Sequence, residues 1–282
     1  MVRRLDPHED LRALPRLIAA EADEARAALA RVDREPVIAV HEARKAIKRA
    51  RSGARLMRKA DKAASRSLNA RGRKAARALE DVRDADSLAL IADGAAIRAQ
   101  DPAVAATLRA EAERARERAT ALDRAKAAQE AEAHIEALSD EARAVRIEAE
   151  PDAAMRDGLA RAYRRASKRL KRAEKDPGPD TLHELRKRVK DWRNHAGALK
   201  PVWPEGLKAK RRKAKKLADL LGLHHDLSRL IGVLKDREGE AAQAAVAALK
   251  AERAALEGKA LAKAGKVFKA SPKKAARRLE AA

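Results

Sequence analysis

Residues 41–51 read HEARKAIKRAR, and residues 183–193 read HELRKRVKDWR. The two stretches lie 142 residues apart, and six of their eleven aligned positions are identical. The same offset relates a second pair of segments, because Leu79–Leu88 aligns with Leu221–Leu230 without a gap. A constant offset that covers two motifs is typical of an internally duplicated structural unit.

The composition of the chain predicts an all-α fold. Ala, Arg, Lys, Glu and Leu dominate it, and all five are strong helix formers. Proline and glycine place four helices in each half. One is expected to begin at Glu35-Pro36, and the next to run from Lys62 to Ile91 and end before Asp93-Gly94. We therefore predict two pseudo-symmetric four-helix bundles that arose by internal duplication.

The repeat also predicts the domain boundaries. Residues 1–140 are expected to form the first four-helix repeat, residues 141–265 the second, and residues 266–282 a basic C-terminal tail. Residues 125–150 look helical, and they either extend the fourth helix or connect the repeats.

The charge balance indicates a polyanionic partner. The chain carries 66 Lys and Arg residues against 43 Asp and Glu residues, a formal net charge of +23. Such an excess repels itself in the free protein, and it suits nucleic acid, an anionic membrane or polyphosphate. Aromatic residues make up 1% of the chain, too few for the base-stacking platforms of single-strand binders. We therefore expect the anion to be recognised through its phosphates rather than through bases.

The sequence favours a cytoplasmic protein. It has no cysteine, so disulfides and thiolate metal sites are excluded. No apolar run follows the arginines near the N-terminus, and no stretch approaches the roughly 18 apolar residues of a membrane span. We expect no membrane partner and no cofactor, and the sequence leaves the oligomeric state open.

The basic residues of each motif form one stripe, because each residue of a helix advances about 100° and the stripe occupies an arc of about 120°. The first stripe consists of His41, Arg44, Lys45, Lys48, Arg51 and Arg55. The second consists of His183, Arg186, Lys187, Lys190 and Arg193. Downstream positions complete the candidate anion-binding set: Arg66, Arg73, Lys74, Arg77, Arg83, Lys208, Arg211, Arg212, Lys215, Lys216 and His225.

The alternative interpretation is a solvated basic face, which i,i+4 pairs with acidic residues often neutralise. These stripes contain few acids, and their like charges at i,i+3 and i,i+4 are mildly destabilising. Because both copies keep this arrangement, the pattern favours anion binding.

The titratable residues indicate binding rather than catalysis. Cationic neighbours of His41 and His183 should disfavour imidazolium in the free protein, and a bound phosphate should favour it. Zinc is disfavoured because no His-x3-His or His-Glu-x-x-His pattern occurs. Asp84 and Asp226 are expected to form salt bridges that orient stripe residues. General acid–base catalysis is the weaker reading, since no second carboxylate or nucleophile recurs beside them.

The two motif pairs resemble those of the CHAD family, the conserved histidine α-helical domain. The resemblance rests on the His-x-x-Arg-Lys-x-x-Lys-x-x-Arg helices at 41–51 and 183–193 and on the segments at 79–88 and 221–230, and it covers roughly residues 8–265. It implies two pseudo-symmetric four-helix bundles with a basic surface or cavity between them. It also implies binding of inorganic polyphosphate and association with polyphosphate granules.

The leading hypothesis is thus a non-enzymatic polyphosphate-binding protein. A sequence-nonspecific DNA-binding protein is the alternative, because net charge alone gives duplex affinity at low salt. A phosphohydrolase is disfavoured, because the sequence lacks an acidic cluster for Mg²⁺.

Overall fold

The computed structural model describes residues 11–148, 151–199, 204–268 and 270. Over these ranges the chain forms ten α-helices and no strand, which confirms the all-α prediction. In chain order the helices are α1 (Leu14–Leu29), α2 (Pro36–Leu56), α3 (Lys62–Ala78), α4 (Glu80–Arg98), α5 (Pro102–Thr120), α6 (Arg124–Ala144), α7 (Pro151–Lys175), α8 (Pro179–Ala198), α9 (Pro204–Leu234) and α10 (Glu240–Val267). None of the described helices combines the length and apolar character needed to cross a membrane.

Local chemistry accounts for several helix starts. α2, α5 and α8 have proline in the first turn, where its fixed φ fits the helix and no N–H is needed. Asp61, Asp101 and Asp123 cap the N-termini of α3, α5 and α6, because each side chain accepts a hydrogen bond from a backbone N–H of the first turn.

The predicted helix end before Asp93-Gly94 is wrong. α4 continues through both residues to Arg98, whose Nη1 donates to the carbonyl oxygen of Gly94 at 2.6 Å. Asp93 forms an ion pair with Arg116 of α5, so this polar pair lies on a helix surface rather than in a turn. The break comes instead at Leu79, a fully buried residue between α3 and α4.

Helix boundaries repeat at the offset of the sequence motifs. α2 ends at Leu56 and α8 at Ala198, and α3 begins at Lys62 and α9 at Pro204, so each pair is 142 residues apart. The halves also differ. α9 is one continuous helix where the first half has α3 and α4, and α6 is an additional helix that packs on α1 and α3.

Two apolar clusters form the core, and each draws on both halves of the chain. The larger cluster joins α1, α2, α3, α6, α7 and α8 to the beginning of α9 and the end of α10, with Ile47, Trp192 and Phe268 among its members. The smaller cluster joins α4 and α5 to the rest of α9 and α10, around Leu108 and Leu230. The cores therefore do not coincide with the predicted repeats. The boundaries near residues 140 and 265 and the bundle symmetry stay predictions, and residues 271–282 of the predicted tail lie outside the described residues.

Candidate anion-binding site

The two basic stripes meet where α2 packs against α8. Arg186 of α8 is among the charges that lower the pKa of Lys48, and Lys48 is among those that lower the pKa of Lys190. Arg83 of α4 and Arg229 of α9 belong to the same group of charges, because both lower the pKa of Arg44 and Arg229 also lowers the pKa of Arg83 and Arg186. We refer to this set as the central cluster: Arg44, Lys48, Arg51, Arg83, Arg186, Lys190, Arg193 and Arg229.

The two lysines at the middle of the central cluster have strongly altered acidity. Burial, followed by neighbouring cations, lowers the pKa of Lys48 to about 8 and the pKa of Lys190 to about 7. Solvent still reaches both side chains, since Lys48 is exposed and Lys190 is half-buried. Neighbouring protein atoms and cations therefore disfavour the charged amines, yet a ligand from solvent can reach both. A bound anion would favour the charged form of both.

Two arginines at equivalent repeat positions have unsatisfied donors. The Nε of Arg44 and the Nε of Arg186 are buried, and neither has a hydrogen-bond partner among the described residues. Arg44 is held in place because its Nη1 donates to the carbonyl oxygen of Ala76 at 2.5 Å. A buried N–H without an acceptor costs about 1–3 kcal/mol. Because both nitrogens are shielded from solvent, an oxyanion in the central cluster would supply the missing acceptors only after the two guanidinium groups turn toward it.

The motif histidines lie beside residues from the downstream segments. The Nδ1 atoms of His183 and His225 are 3.1 Å apart, and their ring centroids are 4.2 Å apart. At the equivalent first-half positions, His41 interacts with Arg83. Burial and then nearby cations lower the pKa of His41, of His183 and, to about 3, of His225. The expectation that the free protein disfavours imidazolium is confirmed, although burial rather than neighbouring charge is the largest cause.

The two predicted orienting acids differ in their surroundings. Asp84 forms an ion pair with Arg229 at 3.6 Å, which joins α4 to α9, but Arg229 is not one of the stripe residues that this acid was expected to orient. Asp226 forms no such ion pair among the described residues. Burial raises its pKa, although Arg186 and Arg229 oppose this effect.

Arg229 is a site residue that the sequence analysis missed. It lies on α9 four residues after His225, and therefore on the same helix face. Its counterpart in the first half is Ser87, so the repeat comparison could not reveal it. Its position on the same helix face as His225 and Asp226 is the sequence feature that could have identified Arg229 as a site residue.

Three predicted binding residues are engaged in ion pairs, one of which joins Lys215 to Asp219 within α9 at 3.5 Å. Arg55 Nη2 donates to Asp191 Oδ1 at 2.5 Å, and Arg55 Nη1 donates to Asn69 at 3.0 Å, so this side chain ties α2 to α8 and α3. Lys187 pairs with Glu184 on the outside of α8. Lys45 is exposed beside His41.

The predicted cations of α3 and α9 spread over a larger surface. Arg211 lies over Gly197 of α8, where an added Cβ would come within 3.0 Å of its Nε, and it contributes to the lowered pKa of Arg193. Arg73 acts in the same way on Arg51. Solvent-exposed positions account for the others: Arg66, Lys74, Arg77, Lys208, Arg212, Lys215 and Lys216. Of these, Arg212 and Lys216 line a separate groove between α9 and α10.

The chain resembles known proteins in both sequence and fold. The sequence model of a family described as "CHAD domain" matches residues 16–235. The fold is similar to the crystal structure of the CHAD domain from the plant Ricinus communis. The match spans 96% of this chain and 96% of the Ricinus communis chain, with a TM-score of 0.70 and 19% sequence identity. At this identity the likeness shows the fold alone. No curated protein matches the sequence. In the described part of the chain, no group of three or more His, Asp or Glu side chains could hold a metal ion.

Proposed function

The chain belongs to the CHAD domain family, and we propose that it binds inorganic polyphosphate in the central cluster without altering it chemically. One observation carries the proposal: Arg44 and Arg186, equivalent in the repeat, each leave a buried Nε–H without an acceptor beside lysines whose pKa is lowered. These donors and charges converge from four helices that belong to both halves of the chain. An extended polyanion would supply hydrogen-bond acceptors and negative charge to the residues of both halves at the same time.

The chemistry of the central cluster suits a phosphate chain. Arginine offers two parallel N–H donors to a phosphate, and lysine offers a point charge. Polyphosphate carries about one negative charge per unit and has no base to recognise. The described aromatic residues Tyr163, Trp192 and Phe268 are buried against one another, so they are not placed to stack on bases. This favours polyphosphate over single-stranded nucleic acid.

We further propose that the protein is a binder rather than a hydrolase. Asp84 is engaged by Arg229, and Asp226 lies among cations that include Arg186 and Arg229. Such acids can position the cationic side chains. In cells we expect the protein to associate with polyphosphate granules.

Nonspecific binding of duplex DNA is the alternative, favoured by the net charge of +23. The decisive experiment measures the anisotropy of labelled long-chain polyphosphate at about 0.15 M salt, where nonspecific DNA affinities are about 10⁻⁴–10⁻⁶ M. We expect unlabelled polyphosphate to compete far better than duplex DNA at equal phosphate concentration. Equal competition would reject the proposal. Release of phosphate, abolished by Asp84→Asn or Asp226→Asn, would reject the non-enzymatic part.

A further inference from the structure

A second cationic surface lies on a different face of α9 from the central cluster. It is a groove of about 700 Å³ between α9 and α10, here called the α9–α10 groove. Its lining residues are Arg212, Lys213, Lys216, Leu220, Lys259, Ala262, Lys263, Lys266 and Val267. Arg211 faces α8, and Arg212 is turned about 100° away from it. The groove is therefore separate from the proposed polyphosphate site.

The walls of the groove carry like charges. Each helix contributes three cations, and none of the lining residues is acidic. Other contacts between helices in this protein are bridged by carboxylates, as in Arg71–Glu141 between α3 and α6 and Arg98–Glu252 between α4 and α10. Facing cations repel each other, so the groove is suited to a ligand that brings the carboxylates from outside.

The floor of the groove is apolar. Leu220, Ala262 and Val267 form it, together with the aliphatic stems of the lysines. A phosphate chain is charged along its whole length and gains little from such a floor. An amphipathic helix gains from both features, because its apolar face covers the floor while acidic residues on its flanks meet the walls.

The protein already contains this type of contact. Leu138 of α6 lies against Gly72 of α3, and Glu141, one turn later, forms the ion pair with Arg71. The position equivalent to Arg71 in the second half, 142 residues on, is Lys213 in the α9–α10 groove. A glutamate on a docked helix would pair with Lys213 as Glu141 pairs with Arg71.

We propose that the α9–α10 groove docks an acidic amphipathic helix of a partner protein. The chain's own C-terminal segment is a poor occupant, because residues 271–282 contain one acid, Glu280, and four cations. The proposal is independent of polyphosphate binding, since it concerns a different face of α9.

The test uses a labelled helical peptide with leucines along one face and glutamates on both flanks, measured by fluorescence anisotropy with the full chain. Two control peptides replace either all glutamates with glutamine or all leucines with serine. We expect each control to bind at least about tenfold more weakly, because the groove needs both features. Equal binding of the serine peptide would overturn the proposal, since charge alone would then explain the affinity.

Matched protein variants locate the contact. Lys216→Glu with Lys263→Glu should weaken peptide binding at least about tenfold, whereas Lys168→Glu with Lys171→Glu on exposed positions of α7 should change it less than about twofold. Circular dichroism confirms that both variants fold. Equal losses would overturn the proposal.

Three further outcomes would replace the proposed occupant. A loss of polyphosphate affinity in the groove variant as large as that in a central-cluster variant would assign the groove to the phosphate path. Binding of anionic phospholipid vesicles, with none of the peptide, would assign it to a membrane surface. A dimer in light scattering that the groove variant abolishes would assign it to a second copy of the chain. An unaltered polyphosphate affinity together with lost peptide binding supports the proposal.

Discussion

The Nδ1 atoms of His183 and His225 lie 3.1 Å apart, a distance at which one nitrogen donates a hydrogen bond and the other accepts it. The two Nδ1 atoms cannot both carry a proton in this contact. Burial, together with Arg186 and other nearby cations, lowers the pKa of both imidazoles, that of His225 to about 3. The equivalent first-half position of His225 is Arg83, which stays charged. The two halves of the site therefore differ in how their charge depends on pH.

Polyphosphate affinity should rise as the pH falls. In the free protein the pKa of Lys190 is about 7 and that of Lys48 about 8, and a bound anion raises both, so binding takes up protons. The rise should begin near pH 9 and, for the lysines, level off below about pH 7, with the histidines contributing below about pH 6.5. Dissociation constants measured from pH 9 to 6 test this.

Two variants separate the contributions to this pH dependence. Lys190→Arg keeps its charge and should flatten the alkaline part of the profile. His41→Gln with His183→Gln should flatten the acidic part. A wild-type affinity that does not change between pH 9 and 6 would refute the linkage.

The free protein should be destabilised by the charge on Lys190. Because its pKa in the folded state is below its ordinary value, the unfolded chain binds more protons between about pH 10 and pH 7, and stability from this group falls as the pH falls through that window. Lys190→Met should therefore raise Tm at pH 7 by about 2–4 °C per kcal/mol gained, and it should weaken polyphosphate binding. Thermal unfolding with and without polyphosphate measures both effects; a lower Tm in the free variant would contradict the prediction.

Both halves should contribute to one continuous site. Lys48→Glu with Arg51→Glu, or Lys190→Glu with Arg193→Glu, should weaken long-chain binding far more than short-chain binding, because a long chain that contacts both stripes gains effective concentration. Lys168→Glu with Lys171→Glu makes the same charge change on exposed positions and is the control. Comparable losses in all three variants would mean that net charge alone sets the affinity.

Arg55 should matter for stability rather than for binding. It pairs with Asp191 between α2 and α8, and Arg188 also contacts that carboxylate at 3.3 Å. Asp191→Asn would leave both half-buried guanidiniums without a counter-charge and should cost about 1–3 kcal/mol of unfolding free energy in urea. Arg55→Gln should likewise lower stability and change polyphosphate affinity less than about twofold. A variant of normal stability with a large loss of affinity would show that Arg55 contacts the ligand.

Much of the helical pattern could be predicted from local signals. Proline at residue 36 and the pair Asp101-Pro102 mark helix starts because first-turn proline and aspartate caps act within a few residues. The two stripes could also be predicted, because the 3.6-residue period of a helix and the 142-residue offset between the motifs can both be recognised in the sequence. Asp93-Gly94 misled the prediction because a surface ion pair and a helical glycine look like a turn when their neighbours are unknown.

What could not be predicted depends on contacts between distant segments. The pairing of Arg55 with Asp191 spans 136 residues, and nothing in either local sequence distinguishes this arginine from the others in its stripe. Arg229 joins the central cluster only because α4 and α9 pack together. The apolar clusters mix the two halves for the same reason, since the fit between helix faces decides which helices share a core.

The break at Leu79 gives the two halves different mechanical character. α9 passes through the equivalent region as one rod of 31 residues, about 46 Å long, whereas α3 and α4 are two shorter pieces with a joint between them. Amide protons beside the joint should exchange with deuterium sooner than those in the middle of α9. If the protein binds a polyanion as proposed, we expect conformational adjustment to come from α3 and α4, while α9 keeps its position.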